Sequence, residues 1–240
     1  MAAHETALSG RESVAEGTMA FHFEKPRGFR HRAGQSLLLR LIDPPETDDE
    51  GDSRTFTIAS ADHEPDLMIA TRMRDTAFKR VLGRAQPGTR VMIDGPDGQM
   101  TLHEDASRPA VMLAGGIGVT PFRAMAAQAA HEHLSHRIHL FFSNRRPEDA
   151  AFLDPLTRLQ EINPGFRLIA TMTDAGKSSR PWAGETGFIR RDMIERHVPD
   201  LKAPIYYFAG PPAMTAAMKQ MLDDMGIDER DMRYEEFYGY

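Results

Sequence analysis

The sequence predicts two domains, an antiparallel β-barrel followed by an α/β domain that is built on a parallel sheet. In the first half, short apolar segments alternate with turns rich in Pro, Gly and Asp, which is the spacing of antiparallel strands. After Arg108, apolar strands alternate with helical segments, a pattern typical of βαβ units. We therefore predict one domain over residues 1–105, with residues 1–14 as a loose tail, and a second domain over residues 106–240.

The first half contains five predicted strands and one short helix. Apolar residues recur at every second position of the first of these strands, as they do where one face of a strand is buried. The helix is expected to start at Thr76, with Asp75 or Thr76 as its cap, and to end at Gly83. The acidic stretch Pro44–Ser53 is expected to be an exposed loop. The predicted strands are Met19–Glu24, Ser36–Ile42, Thr55–Ala59, Leu67–Met73 and Arg90–Asp94.

The second half contains four predicted strands separated by helical segments. The strands cover residues 109–116, 138–144, 166–173 and 205–210. Helical segments follow the first, second and fourth of them, and Gly226 is expected to end the last helix. Short apolar strands that alternate with helices predict a parallel sheet.

The amino-acid composition argues against several kinds of partner and site. The chain has 240 residues, 41% of them hydrophobic, and a formal net charge of −6, which argues against nucleic acid as a partner. It has no cysteine, so a disulfide or a cysteine-ligated iron–sulfur cluster on this chain is excluded. No apolar run approaches the roughly 18–20 residues of a membrane span, and the first residues do not resemble a secretory signal. A cytoplasmic protein is expected.

Three segments combine small, hydroxyl or basic residues at positions where backbone approaches a ligand. Residues 114–122, AGGIGVTPF, lie between a predicted strand and a helix, and a helix N-terminus favours an anion. Residues 54–57, RTFT, begin a strand with a cation, an aromatic ring and hydroxyl groups. Residues 208–212, FAGPP, end a late strand, where open α/β sheets bind ligands. Each segment alone has a purely structural explanation. The ten histidines do not form a metal site by spacing, because His131 and His133 point in different directions on a helix.

The order of these motifs carries more information than any one of them. The pattern R-x-F-T-x-A-S from Arg54, then AGGIGVTPF, then AGPPAM, then a C-terminal E-x-F resembles the ferredoxin–NADP⁺ reductase superfamily. The resemblance extends from about Glu16 to Tyr240. It implies a Greek-key antiparallel β-barrel that binds FAD, followed by a Rossmann-like parallel sheet that binds NAD(P).

The resemblance assigns flavin-binding roles to the barrel half. Arg54 would bind the pyrophosphate, and Phe56, which is normally tyrosine, would stack along the flavin. Thr57 matches the hydroxyl residue near the flavin N5 atom, so it is a predicted catalytic residue. The predicted flavin-binding set is Arg54, Thr55, Phe56, Thr57, Ile69, Ala70, Thr71, Thr76 and Ala77. FAD is preferred over FMN, because the FMN-using relatives carry a glycine-rich loop where this chain has MRDTAFKR.

The resemblance assigns the nicotinamide cofactor to the second half. The predicted residues are Gly115, Gly116, Gly118, Val119, Thr120 and Pro121 in the first turn, and Gly210, Pro211 and Met214 in the last. Ala209 stands where many family members carry a cysteine beside the nicotinamide. Glu235, the second predicted catalytic residue, would help to supply protons, and an aromatic side chain from Phe237 onward would cover the flavin.

The choice between NADH and NADPH depends on two positions. Arg145 and Arg146 follow the second strand of the α/β domain and would suit a 2′-phosphate. Asp174, after the third strand, would bind free ribose hydroxyls and repel a phosphate. The NADP-specific branch carries a Ser-Arg pair near this point, where this chain has Thr173-Asp174, so NADH is favoured.

The expected activity is hydride transfer from NAD(P)H to FAD, with electrons passed on to a separate acceptor such as an acidic ferredoxin-like protein. The basic run Lys25, Arg27, Arg30 and Arg32 is either a docking site for that protein or a solvated loop. One alternative is a reductase of free flavin, ferric chelates or quinones. Another is a flavin- or nucleotide-binding regulatory subunit with weak catalysis, which the absent cysteine favours.

Overall fold

Two six-stranded sheets organise the computed structural model, which describes residues 3–238. The first sheet contains β1 (Ala3–Ala15), β2 (Thr18–Glu24), β3 (Ser36–Leu41), β4 (Ser53–Thr57), β5 (Asp66–Arg72) and β6 (Arg90–Asp97). Its spatial order is β4-β3-β6-β1-β2-β5, and every neighbouring pair is antiparallel. The predicted antiparallel first half is confirmed.

The two edges of this sheet, β4 and β5, approach each other. The N–H of Ala59, just beyond β4, donates to the carbonyl of Met68 in β5 at 2.7 Å, which draws the sheet toward a barrel. Alternating residues of the strands fill its interior, including the fully buried Phe21 and Ile69. Helix α1 (Ala77–Arg84) closes one end by burying Phe78 and Leu82 in the same cluster.

Strand β1 corrects the prediction that residues 1–14 form a loose tail. It lies in the middle of the sheet, between β6 and β2, and its register runs from Ala3 against Asp94 to Ala15 against Thr18. Within β1 only Thr6 and Leu8 are fully buried, so the segment lacks the apolar alternation that marks a strand in sequence. Its pairing depends on backbone hydrogen bonds to two neighbours rather than on its own hydrophobicity.

The second sheet is wholly parallel and flanked by helices. Its strands are β7 (Ala110–Gly115), β8 (Ile138–Asn144), β9 (Phe166–Met172), β10 (Glu185–Thr186), β11 (Ile205–Gly210) and β12 (Met232–Glu236), in the order β10-β9-β8-β7-β11-β12. The helices are α2 (Thr120–His131), α3 (Leu153–Ile162), α4 (Arg191–His197) and α5 (Pro212–Asp224). The strand order reverses between β7 and β11, which creates a crevice at their carboxyl ends. The predicted Rossmann-like second half is confirmed, although α4, β10 and β12 were not predicted.

Residues 98–109 connect the two sheets, which also pack directly against each other. One hydrophobic cluster includes Ala59, Met68 and Met100 as well as Phe122 and Met125 of α2. Ion pairs reinforce the contact, since Arg123 of α2 binds Glu64 through both terminal nitrogens. The carboxyl ends of β7 and β11 are thereby held beside the barrel. Among residues 3–238, no helix combines the length and the apolarity that a bilayer crossing requires.

Candidate functional site

A cationic and hydrogen-bonding site for an anion lies where β4 meets the start of α1. Strand β4 presents Arg54, whose guanidinium lies over the Phe78 ring at 5.2 Å from its centroid. The α1 helix begins at Ala77, and Thr76 caps it by accepting a hydrogen bond from the Lys79 N–H at 3.3 Å. Thr76 is one of the two caps, Asp75 or Thr76, that the sequence predicted. The first N–H groups of a helix have no partner within the helix, so they can bind an anion.

The carboxylate of Asp48 contacts both components of this site. Its Oδ2 accepts from the Ala77 N–H at 2.9 Å, and its Oδ1 lies 3.4 Å from Nη2 of Arg54. Glu50 also binds Arg54, with Oε2 at 2.7 Å from Nη2, while Nη1 of Arg54 donates to backbone carbonyls of residues 50, 51 and 53. The hydrogen bond from Ala77 is the largest cause of a lowered pKa for Asp48. Arg54 and the start of α1 therefore bind an anion together.

Basic and acidic side chains both surround this site. Burial, together with the positive charges of Arg74 and Arg54, lowers the pKa of the Lys79 ammonium. Lys79 lies in the first turn of α1, and its Nζ donates to the Arg72 carbonyl at 2.9 Å. Several cations close together disfavour one another's charge, so they favour a ligand with more than one negative charge.

The other predicted flavin-binding residues line the two edge strands. Phe56 is half-buried, with its ring 5.9 Å from that of Phe78, and Thr55 is exposed. Thr57 is 8% exposed at the end of β4. Ile69, Ala70 and Thr71 are buried on β5. Strands β4 and β5 are the two edges of the sheet and approach each other, so the two predicted segments lie close together.

The glycine-rich turn between β7 and α2 lies at the switch point of the parallel sheet. Gly115 ends β7, and Gly116 adopts a φ of 54°, which favours glycine. A Cβ atom at Gly118 would collide with the backbone of Ala209, so the turn packs directly on β11. Val119 and Thr120 are buried where α2 begins, and Pro121 occupies its first turn. Backbone here can approach a ligand closely.

The turn after β11 lies beside this one. Gly210 ends the strand, Pro211 precedes α5, and Met214 lies one turn into the helix, where a Cβ atom at Gly115 would collide with its sulfur. The N–H of Phe237 donates to the carbonyl of Gly210 at 3.0 Å. The structure thus brings the first and last predicted nicotinamide turns together with the C-terminal aromatic residue. Gly239 and Tyr240 lie outside the described residues.

Glu235 comes from β12 and approaches the barrel. It is the register partner of Ala209, and its Oε1 would lie 3.8 Å from a Cβ atom at Gly98, beside Ser36. Ser36 is in turn the register partner of Thr57. Burial raises the pKa of the Glu235 carboxyl. A cleft of about 690 Å³ opens here and is lined by Arg32, Gln99, Met100, Thr101, Leu102, His103, Glu104, Arg233, Tyr234 and Glu235.

The residues that are expected to distinguish NADH from NADPH lie at the carboxyl ends of β8 and β9. The N–H of Asp174 donates to the Arg145 carbonyl at 2.8 Å, which places the two residues side by side. Asp174 also forms an ion pair of 3.3 Å with Lys177. Arg146 points elsewhere, because it binds Asp149 and Glu16.

The basic run of the barrel is partly neutralised. Lys25 and Arg30 both bind Asp62, at 2.8 and 3.0 Å. Although burial opposes ionisation of Asp62, hydrogen bonds from those two cations hold its pKa at about 2. Arg27 and Arg32 are exposed, and Arg32 reaches the cleft.

Sequence reasoning missed the role of the acidic stretch 44–53. It described an exposed loop, which the structure has, but not the contacts of Asp48 and Glu50 with Arg54. The sequence does contain a signal for these contacts, since acidic residues stand six and four positions before Arg54. Within residues 3–238, no three histidine or acidic side chains are grouped as metal ligands.

Comparisons with known proteins agree with this architecture. Residues 112–220 match the family model of the oxidoreductase NAD-binding domain. The chain is 29% identical over 223 residues to the glycine betaine monooxygenase reductase subunit of Chromohalobacter salexigens, covering 92% of this chain. It is 26% identical over 210 residues to the terephthalate 1,2-dioxygenase reductase component 2 of a Comamonas species, covering 87% of this chain. The chain spans 60% of the length of each of these two relatives.

The fold matches that of a solved reductase along its whole length. The structure of a ferredoxin NADP⁺ reductase from Neisseria gonorrhoeae with bound FAD and NADP superposes with a TM-score of 0.80. The match covers 98% of both chains at 21% identity, so it concerns the fold. An antiparallel barrel, a doubly wound parallel sheet and an NAD-binding family match occur here in one chain. The chain therefore has a fold similar to that of the ferredoxin–NADP⁺ reductases, and its second half matches the NAD-binding domain of oxidoreductases.

Proposed function

We propose that the chain is an FAD-dependent NAD(P)H oxidoreductase that passes electrons to a separate acceptor. The observation that carries the proposal is the anion site of Arg54 and the Ala77 N–H at the end of the barrel sheet whose strand β5 contacts the glycine-rich turn of the parallel sheet. The names of the relatives, which are reductase components of oxygenases, support electron delivery to another protein.

The residues of the barrel fit FAD. A carboxylate already binds between Arg54 and the start of α1, so the same donors suit a diphosphate. Phe56 presents an aromatic ring beside this site, and Thr57 presents a hydroxyl group at the end of β4. Bound FAD would accept hydride at N5 and release electrons singly or as a pair.

The residues of the α/β domain would bind the nicotinamide cofactor and supply a proton. The turns at Gly115 and Gly210 allow close approach of backbone, and Phe237 lies against the second of them. Glu235, whose pKa is raised by burial, can carry a proton near neutral pH better than an ordinary glutamate can. The carboxylate of Asp174 would accept hydrogen bonds from free ribose hydroxyls and repel a 2′-phosphate, so we propose NADH as the preferred donor.

The test is anaerobic reduction of the purified chain loaded with FAD. Rapid mixing with NADH should bleach the flavin absorbance in a single-turnover phase, and NADPH should do so more slowly. Steady-state assays with a ferredoxin-like protein, free flavin, ferric chelates and quinones then separate the proposed acceptor from its alternatives. A chain that binds FAD but is bleached by neither nucleotide would fit the regulatory alternative, which Ala209 favours, and would contradict the proposal.

A further inference from the structure

Three carboxylates of one loop bind the region where β4 meets α1, and we name residues 46–50 the acidic clasp. Glu46 accepts from Nε of Arg80, on α1, at 3.1 and 3.2 Å. Asp48 contacts Ala77 and Arg54, and Glu50 binds Arg54. The clasp thus attaches a mainly exposed loop to both components of the anion site.

Within the clasp, Asp48 makes the contacts of a phosphate group. One of its oxygens accepts from the Ala77 N–H at the start of α1, at 2.9 Å. Its other oxygen lies 3.4 Å from Arg54 and accepts from the Glu50 N–H at 3.1 Å. An oxyanion held between a helix N-terminus and an arginine is the arrangement by which proteins bind phosphates.

We propose that Asp48 is an internal competitor for the diphosphate of the cofactor, and that it leaves Arg54 and Ala77 when FAD binds. The inference rests on the proposed function, since it takes FAD as the ligand of this site. One N–H group forms one good hydrogen bond, and two anions on the same arginine repel each other. The carboxylate therefore lowers the affinity for phosphate-bearing flavins and leaves the affinity for the flavin ring unchanged.

The competing contact also explains why the loop is acidic. Asp48 and Glu50 neutralise Arg54 before the cofactor arrives, beside the further cations Arg74 and Lys79. When the diphosphate replaces Asp48, the loss of the carboxylate offsets part of the negative charge that the diphosphate brings. A site with an internal anion that can return to the donors releases its cofactor more readily than a site with the same donors and no such anion.

The experiment is a titration of the cofactor-free chain with FAD, followed by quenching of flavin fluorescence. The variant Asp48→Asn keeps the shape of the side chain and removes its charge. The control Asp49→Asn removes the same charge from the next residue, which is exposed and makes none of the clasp contacts of the described chain. Asp48→Asn should lower the Kd for FAD about tenfold relative to the control, the scale of one charged hydrogen bond.

Riboflavin, which has no phosphate, distinguishes the competition from a general change of the site. Its Kd should be the same in the wild-type chain, Asp48→Asn and Asp49→Asn. Glu50→Gln gives a second test, with a smaller gain for FAD, because Glu50 contacts Arg54 but not Ala77. Melting curves of each variant establish that the chain is folded.

The possible outcomes separate this inference from the proposed function. If Asp48→Asn binds FAD no more tightly than Asp49→Asn, or more weakly, Asp48 is not a competitor. If riboflavin gains as much as FAD does, the effect does not involve the diphosphate, and the inference fails. If no variant and no wild-type sample quenches FAD fluorescence, the proposed function itself is wrong.

Discussion

At the scale of single residues, Glu235 is a side chain whose protonation depends on its surroundings. It extends from the α/β domain toward Gly98 and Ser36 of the other sheet. Burial raises its pKa, and no cation is among the causes of the shift. A carboxyl in this state costs stability when it ionises, which is typical of a group retained for its chemistry rather than for stability.

The raised pKa predicts how stability changes with pH. The folded chain binds this proton more tightly than the unfolded chain does, so the free energy of unfolding falls as pH rises from about 4.3, the ordinary glutamate value, through the folded pKa. Glu235→Gln should remove that loss and be more stable than the wild-type chain at neutral pH. Urea unfolding at several pH values measures this. Glu161→Gln, an exposed site on α3, is the control; equal pH dependence in all three chains would contradict the prediction.

At the scale of elements, the sequence predicted most strands and helices, because burial on one face imposes a visible period. Strands β2 to β9, α1 and the main helices of the α/β domain lie within a few residues of their predicted positions. Strand β1 was missed, because a strand paired on both sides can be stable with only Thr6 and Leu8 fully buried. Helix α4 was missed because it is a single short segment of seven residues with a mostly charged sequence.

The glycine turn between β7 and α2 gives a prediction at this scale. A Cβ atom at Gly118 would collide with the backbone of Ala209, and two adjacent strands cannot easily separate. Gly118→Ala should therefore destabilise the chain by about 1–3 kcal/mol, the usual cost of overpacking. Gly176→Ala, at a glycine with open space around it, should change stability by about 0.5 kcal/mol or less. Chemical denaturation of both variants checks this, and equal stabilities would count against the close packing of the two turns.

At the scale of the whole molecule, the residues of the candidate site come from both sheets. The barrel provides an anion site and two open strand edges, while the parallel sheet provides two glycine turns and Glu235. The motif order predicted that the turns at Gly115 and Gly210 would lie together, as they do. It could not predict that Asp48 lies against Ala77, because a contact across 29 positions depends on how the loop folds back.

The proposed function requires that Arg54 binds the diphosphate of the cofactor. A titration of FAD and riboflavin into the wild-type chain and into Arg54→Met measures this. Methionine keeps much of the apolar stem of the side chain and removes the guanidinium that lies over Phe78. We expect the wild-type chain to bind one FAD. The variant should bind FAD at least about tenfold more weakly, and both chains should bind riboflavin equally well. Equal FAD affinities in the two chains would contradict it.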